Sequence, residues 1–192
     1  MADGAIVLPF LERRDYLHGT TLYRHLRHQA PVAAETCFRI IRTIRSNVIR
    51  VAAPEQVADP VARLDWTEDG ATWALSVEEL PARLPVERQS YDEALVIAAA
   101  VVEDRVARLD GALPFDLIAT AVPLFKTVLK ANGLTPAEGG QWMFTRLDSR
   151  GTIVAAPGME LRLALARPRL VAKAGIFVDG AACADIYFSW VS

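Results

Sequence analysis

The chain has 192 residues, of which 52% are hydrophobic and 23% are charged, and its formal net charge is −2. This composition is typical of a soluble globular protein with a large core, and the near-zero charge argues against a dedicated nucleic-acid binder. The longest wholly apolar run, residues 94–102, is less than half of a membrane span, so we expect no transmembrane helix. Acidic Asp3 and Glu12 near the N-terminus argue against a secretory signal, and we expect a cytoplasmic protein.

The first 50 residues are locally basic, because they hold eight arginines and no lysine. Two interpretations stay open. The arginines lie on a solvated face that an acidic face elsewhere balances, or they meet a polyanion or a phosphate-bearing ligand. Cys37 and Cys183 lie far apart in apolar segments without C-x-x-C spacing, which predicts two reduced thiols in the core.

A short helix is the first predicted element. Gly19-Thr20-Thr21 can cap it, it runs to about Gln29 with Leu22 and Leu26 on one face, and Pro31 ends it. Residues 35–51 fit helical spacing, but their β-branched side chains favour strands. We therefore predict a helix followed by extended chain.

The clearest local prediction is a β-hairpin over residues 62–77. A two-residue turn at Asp69-Gly70 sets three apolar pairs on one face: Trp66 with Trp73, Leu64 with Leu75, and Ala62 with Val77. The other face is polar, as in a sheet with one solvated side.

The middle of the chain predicts a linker and two helices. Residues 81–85 form the linker, and Ser90 with Glu93 makes a capping-box pattern for a helix that runs to about Leu109. A second helix begins near Phe115.

This second helix should end near Gly133, and Pro123 inside it should break or kink it. The last 50 residues are strand-like, with Leu161, Leu163 and Leu165 at alternating positions. A second Asp-Gly turn, at Asp179-Gly180, joins the last two strands.

Two parts of the chain, about 103 residues apart, resemble each other. Residues 44–54 (IRSNVIRVAAP) read like residues 147–157 (LDSRGTIVAAP), and residues 21–30 lie over residues 124–133 at the same offset. Each copy then reaches a two-strand pattern that an Asp-Gly turn closes. The pattern predicts an internal duplication in which the two halves pack together.

The predicted fold class is therefore α+β, with two helix-plus-antiparallel-sheet repeats in one compact unit. The first repeat covers residues 1–84. The second covers residues 85–192 and is preceded by an extra helix.

The C-terminal segment LVAKAGIFVDGAACADIYFSWV resembles the closing hairpin of hotdog-fold proteins. That superfamily contains acyl-thioester dehydratases and thioesterases, in which an antiparallel sheet wraps a long helix. The similarity covers about 50 residues, from Trp142 to the end. Combined with the duplication, it implies a double hotdog. The histidine loop H-F-P-G that is usual in the dehydratases does not occur in the chain.

The resemblance implies a function in acyl-thioester chemistry. The expected partner is an acyl thioester of coenzyme A or acyl carrier protein, and the expected activity is that of a dehydratase, a hydratase or a thioesterase, without a cofactor. A non-catalytic binding or assembly protein with the same fold is the alternative, and a homo-oligomer is compatible with either.

The candidate catalytic residue is His18, which precedes the first helix at about the place of the superfamily's catalytic loop. A histidine can take a proton from the carbon beside a thioester carbonyl or activate a water, because its pKa lies near neutrality. The N–H groups of Gly19 and Thr20 would stabilise an enolate or oxyanion. The resemblance implies that Asp116 supplies a second acid across the interface of the halves. In the alternative interpretation, His18 hydrogen-bonds within a turn and Asp116 caps a helix.

Arginines supply the expected carrier contacts. Arg13 and Arg14 would meet the phosphates of the pantetheine carrier. A third interpretation, single-stranded nucleic-acid binding, would stack bases on the tryptophans of the hairpin and contact phosphates through Arg39, Arg42 and Arg45. Cross-strand tryptophans are more typical of a core.

A metal site is not expected. His18, His25 and His28 lie within eleven residues, but they form no H-x-x-x-H or H-E-x-x-H pattern. Histidines on a helix surface are the preferred interpretation.

Overall fold

The structure is a computed structural model that describes residues 4–109, 111, 113–135, 139–151 and 158–192. The described chain is α+β, as predicted, and it divides into two compact units, Met1–Tyr91 and Asp92–Ser192. This division lies a few residues after the boundary between residues 84 and 85 that the sequence indicated. Among the described residues, no helix has the length and apolar character needed to cross a membrane.

From residue 4 onward, where the structure describes it, the first unit has one α-helix and five strands, and the strands pair antiparallel. Its elements are β1 (Ala5–Val7), α1 (Gly19–Arg27), β2 (Glu35–Ile40), β3 (Val48–Ala52), a 3-10 turn (Pro54–Gln56), β4 (Ala62–Glu68) and β5 (Ala71–Glu79). The spatial order of its strands is β1-β3-β5-β4-β2. Leu22 and Leu26 of α1 are fully buried, and Tyr23 meets Phe38 of β2 with ring centroids 5.4 Å apart. The helix therefore packs on the sheet with its apolar stripe.

The β4–β5 hairpin has the predicted register. Trp66 lies opposite Trp73 and Ala62 opposite Val77, and the turn residues Asp69 and Gly70 both have positive φ, at 52° and 76°. A type I′ turn requires this conformation, which Asp-Gly adopts readily. Its apolar face is buried at Ala62 and Val77 but opens toward the turn, where Trp73 is 53% exposed.

Extended chain over residues 35–51 is confirmed as two strands, β2 and β3, with a loop between them. Asn47 ends that loop and is 1% exposed. Its Nδ2 donates to the carbonyl of Leu84 at 2.8 Å, and its Oδ1 accepts from the N–H of Leu84 at 3.0 Å. One side chain thus holds the predicted linker against the first unit.

Replacing Asn47 with alanine should lower the free energy of unfolding by about 1–3 kcal/mol, because the Leu84 backbone loses both of the hydrogen bonds that it makes with this buried side chain. Asn47→Asp keeps the acceptor but loses the donor, and we expect an intermediate loss. Urea unfolding followed by circular dichroism measures both. The exposed Glu87 of the same segment supplies the control, and Glu87→Ala should change stability by less than about 0.5 kcal/mol. Equal effects at residues 47 and 87 would contradict the expectation.

The described residues of the second unit form two helices and six strands, and the strands again pair antiparallel. Its elements are α2 (Glu93–Ala99), β6 (Ala100–Glu103), β7 (Val106–Leu109), α3 (Leu117–Ala131), β8 (Gln141–Arg150), β9 (Met159–Arg167), β10 (Val171–Val178) and β11 (Ala181–Val191). The spatial order of its strands is β8-β11-β10-β9-β7-β6. Phe125 of α3 packs against Phe188 of β11 with ring centroids 4.8 Å apart.

The prediction of one helix from Glu93 to Leu109 is wrong. The helix ends at Ala99, and the chain then forms the β6–β7 hairpin, whose turn residue Asp104 has a φ of 48°. Valines at 101, 102 and 106 favour strand, and pairing of β7 with β9 supplies the backbone partners that a longer helix would otherwise provide. The cap also differs, because the carboxylate of Asp92 accepts the N–H of Ala94 at 2.9 Å.

Pro123 does not break its helix, which was one of the two effects predicted for it. The whole of α3 is 15 residues long and includes Pro123, which is buried. Thr127 donates its hydroxyl to the carbonyl of Pro123 at 2.9 Å. The neighbouring Leu124 and Phe125 are fully buried, so apolar burial offsets the hydrogen bond that proline removes.

The two units share part of one plan. In each, a strand precedes a helix, further strands follow, and an Asp-Gly turn closes the final hairpin. The final hairpins pair differently with the neighbouring strands of their units. In the first unit, β3 pairs with the second hairpin strand, β5, whereas in the second unit β9 pairs with the first hairpin strand, β10. Ile44 lies in a loop but its proposed equivalent Leu147 lies in β8, and residues 152–157 lie outside the described residues. The internal duplication stays a prediction.

Both cysteines are free thiols, as expected, but they are half-buried rather than in the core. The pKa of the Cys183 thiol is raised, mainly because burial disfavours the thiolate. A raised pKa makes this thiol a weaker nucleophile at neutral pH.

Candidate functional site

The candidate site is built where the chain enters α1. Leu17 donates its N–H to the carbonyl of Ile44 at 2.8 Å, which fixes the entering chain against the β2–β3 loop. His18 follows as the N-cap residue, with the extended backbone (φ −75°, ψ 138°) typical of that position. Its side chain is 5% exposed. The local sequence therefore buries a titratable ring at a helix N-terminus.

Thr20 holds the His18 ring. The Oγ1 of Thr20 lies 2.8 Å from His18 Nδ1, and Thr20 is only 2% exposed. The rings of Tyr16 and Tyr91 lie near the imidazole, with centroids 6.3 and 6.5 Å away. These contacts restrict the imidazole to one orientation.

The first turn of α1 offers backbone donors next to that ring. Gly19, Thr20 and Thr21 are buried, and the side chain of the N-cap residue, His18, makes no capping hydrogen bond. The first N–H groups of a helix lack intrahelical acceptors, and the helix dipole adds partial positive charge at this end. The buried Thr21 Oγ1 also has no partner among the described residues. This end of α1 is suited to negative charge.

Asp116 lies at the N-terminus of α3, in the second unit. Its carboxylate accepts the N–H of Ala119 at 2.8 Å, and its carbonyl accepts the N–H of Thr120 at 3.0 Å. The capping contact of the alternative interpretation is therefore present. Thr120 is 3% exposed, and its hydroxyl has no partner in the described chain. A catalytic role for Asp116 stays a prediction.

Arg13 and Arg14 differ in environment. The side chain of Arg13 is exposed, whereas that of Arg14 is half-buried. The backbone of this segment is clamped by Arg88, whose Nη1 donates to the carbonyls of Glu12 and Arg14 at 2.6 and 2.8 Å. Arg13 is thus exposed, and Arg88 holds the backbone on both sides of it.

Two of the three arginines proposed for nucleic-acid contacts, Arg39 and Arg42, are engaged closely by carboxylates. Arg39 pairs with Asp65 at 2.7 Å, and Arg42 pairs with Asp59 and Glu79 at 2.9 and 2.8 Å. These contacts match the interpretation in which the arginines lie on a charge-balanced face.

The three histidines occupy different environments. His18 is buried at the start of α1, His25 is half-buried within it, and His28 is exposed after it. In the described part of the chain, no group of three histidine, cysteine or acidic side chains could hold a metal ion. Burial and the neighbouring His28 lower the pKa of His25 from 6.5, and its Nε2 has no partner in the described residues.

The protein should lose stability as the pH falls through about 6.5. A histidine has a pKa near 6.5 in an unfolded chain, so below that pH the unfolded state binds a proton that folded His25 resists. His25→Gln removes this contribution. Urea unfolding at pH 7.5 and 5.5 should show a smaller loss for the variant than for the wild type. The same loss in both proteins would contradict the expectation.

No family model matches the chain, and no curated protein matches it in sequence. Solved structures do match. One is a protein described as a thioesterase II from Thermobifida fusca YX, with a TM-score of 0.52 and 14% identity, over 98% of this chain and 93% of that one. Another is a bifunctional dehydratase-cyclase domain in ambruticin biosynthesis, with a TM-score of 0.51 and 18% identity, over 92% and 83%. Both are hotdog-fold proteins.

This protein has the hotdog fold. The resemblance of the C-terminal segment to a hotdog hairpin is thereby confirmed at the level of the fold, and that hairpin is β10–β11. At sequence identities of 14% and 18%, the similarity shows the fold but does not show the activity.

Sequence reasoning missed some contacts of the loop that leads to His18. Arg83 lies in the segment predicted to be a linker and Arg88 lies three residues after it, and both contact that loop. Arg83 donates to the carbonyl of Asp15 at 3.4 Å. The only sequence signal was the pair of arginines close to prolines, which does not indicate a contact so distant along the chain.

Proposed function

We propose that this protein binds acyl thioesters of coenzyme A or acyl carrier protein and converts them by dehydration, hydration or hydrolysis. The observation that carries the proposal is the buried His18, whose Nδ1 is held by Thr20 at the N-terminus of α1. The hotdog fold supports it, as does the similarity to a thioesterase II and to a dehydratase-cyclase domain.

In this proposal, His18 moves the proton. When Nδ1 carries hydrogen and donates to Thr20 Oγ1, the Nε2 lone pair is the base. It takes a proton from the carbon beside the thioester carbonyl in the lyase direction, or from a water that attacks the carbonyl in hydrolysis. Thr20 is then a positioning residue, because it sets the tautomer and the direction of the ring.

The first turn of α1 stabilises the charge that develops. Enolate and tetrahedral intermediates both place negative charge on the former carbonyl oxygen. The N–H groups of Gly19 and Thr20, aided by the helix dipole, are the proposed donors to that oxygen. Because these residues are buried, the interaction acts in a low dielectric and is stronger than in water.

A double hotdog architecture is part of the same proposal. It is supported by the shared plan of the units, in which a strand and a helix precede further strands and an Asp-Gly hairpin. The proposed second acid is Asp116, which lies at the N-terminus of the longest described helix.

Mass spectrometry of the protein with a panel of acyl thioesters tests the activity. The panel contains hydroxyacyl, enoyl and saturated acyl groups, on both coenzyme A and carrier protein. Loss or gain of water supports a dehydratase or hydratase, and release of the free thiol supports a thioesterase. No change in any substrate would remove the enzymatic proposal and leave a binding or assembly protein.

A further inference from the structure

An open groove of about 470 Å³ lies beside the loop that leads to His18. Arg45 and Ser46 line one side of it, and residues 79–83, ending at Arg83, line the other. We call it the Arg45–Arg83 groove. Its volume lies within the range of small-molecule sites, and both of its arginines belong to the first unit.

The two arginines make the groove positively charged. The guanidinium of Arg45 is 67% exposed, and its ion pair with Asp15 is long, at 3.6 Å. Arg83 gives one weak hydrogen bond, at 3.4 Å, to the carbonyl of the same Asp15. Weak contacts of this kind leave the arginines able to turn toward a ligand at small energetic cost.

The acid that lines the groove is already neutralised. Glu79 Oε1 accepts the N–H groups of Arg45 and Ser46, both at 2.6 Å, and its Oε2 accepts from Arg42 at 2.8 Å. These bonds satisfy the carboxylate and hold the loop that carries Arg45. The net character of the groove is therefore cationic.

One backbone hydrogen bond joins the segment that carries Arg45 to the segment that carries His18. Ile44, the residue before Arg45, accepts the N–H of Leu17, the residue before His18, at 2.8 Å. Arg45 and His18 are thus each one residue away from the two ends of this backbone hydrogen bond.

We propose that the Arg45–Arg83 groove binds a phosphate ester of the thioester carrier. Two guanidinium groups on one concavity suit the anionic, multiply accepting phosphate, because each can donate a pair of parallel hydrogen bonds. This inference rests on the proposed function, and it assigns the phosphate contact to Arg45 and Arg83 rather than to Arg13 and Arg14.

The carboxylate of Asp15 would compete with the phosphate for Arg45. Its carboxylate is 70% exposed and pairs with Arg45, so an incoming phosphate must displace it. Removing the carboxylate should therefore strengthen binding, whereas removing either arginine should weaken it. Opposite signs at exposed positions separate a binding effect from a loss of folding.

Titration calorimetry with coenzyme A and with pantetheine, which lacks phosphate, tests the inference. We expect Arg45→Gln and Arg83→Gln each to weaken coenzyme A binding about tenfold and to leave pantetheine binding unchanged. Asp15→Asn should strengthen coenzyme A binding about threefold. The matched control is Arg39→Gln, because Arg39 is also half-exposed but pairs with Asp65, away from the groove.

Two further probes distinguish the source of the phosphate. If 4′-phosphopantetheine shows the same dependence on both arginines, the groove holds the phosphate that coenzyme A shares with carrier proteins. If the dependence disappears with 3′-dephospho-coenzyme A, the groove holds the nucleotide phosphate. Either result supports a phosphate site.

If both arginine variants bind coenzyme A as tightly as the wild type does, the inference is overturned and the proposed function stands. Absence of any coenzyme A or pantetheine binding instead removes the proposed function. In that case, inorganic pyrophosphate is titrated by NMR. Shifts at Arg45 and Arg83 that the variants abolish support an anion site, and an unchanged spectrum overturns it.

Discussion

His18→Ala will lower kcat on the active thioester by about 10²–10⁴-fold, which is the usual contribution of a general acid or base. The variant loses the group that accepts the proton, while the acyl chain and carrier keep their contacts. KM should therefore change much less than kcat. The measurement is the initial rate of the reaction found with the thioester panel, followed by mass spectrometry.

Two variants accompany this experiment. His28→Ala is the matched control, because His28 is exposed just after the same helix, and it should leave kcat within about twofold. Thr20→Val removes the hydroxyl on His18 Nδ1 but keeps the side-chain shape, and it should lower kcat about 10–100-fold. The pH–rate profile of Thr20→Val should also shift, because the ring loses the partner that sets its tautomer. Full turnover by His18→Ala would remove the mechanism.

Phe188→Ala will lower the free energy of unfolding by about 3–5 kcal/mol. Phe188 is fully buried, and its ring centroid lies 4.8 Å from that of Phe125 on α3 and 6.2 Å from that of Phe144 on β8. It therefore joins the helix to two strands of the sheet. Truncation leaves a cavity between α3 and the sheet, and these two elements cannot both move to fill it.

Urea unfolding, followed by circular dichroism, measures this loss. Val191→Ala on the same strand is the control, because Val191 is 45% exposed and should cost less than about 0.5 kcal/mol. Phe188→Leu retains most of the volume and should cost about 1–2 kcal/mol. Similar losses at Val191 and Phe188 would contradict the assignment of Phe188 to the core.

The parts of the fold that depend on neighbours in sequence were predictable. The register of β4–β5 follows from Asp69-Gly70, because a two-residue turn with positive φ aligns the strands on either side of it. The α1 helix follows from the spacing of Leu22 and Leu26, whereas the predicted cap at residues 19–21 lies inside the helix, whose N-cap is His18. In each case, the interactions that decide the structure lie within a few residues.

Residues 94–109 show where local reasoning fails. Their apolar residues fit a helix, and a capping pattern precedes them, but the chain turns at Asp104 and β7 pairs with β9. Partners some 50 residues away supply the backbone hydrogen bonds of β7. Pro123 is the converse case, because burial of α3 outweighs a residue that would end an isolated helix.

The sequence by itself determined the α+β class, the two Asp-Gly hairpins and the position of His18 before a helix. These features arise from turn chemistry, side-chain alternation and capping, all of which act over a few residues. Only the tertiary structure decided that Thr20 reaches the His18 ring in a buried setting, and that Arg88 clamps the loop at Glu12 and Arg14. It alone brought Arg45 and Arg83 together in a groove. Burial and contacts across about 40–80 residues depend on packing of the whole unit, which no short pattern encodes.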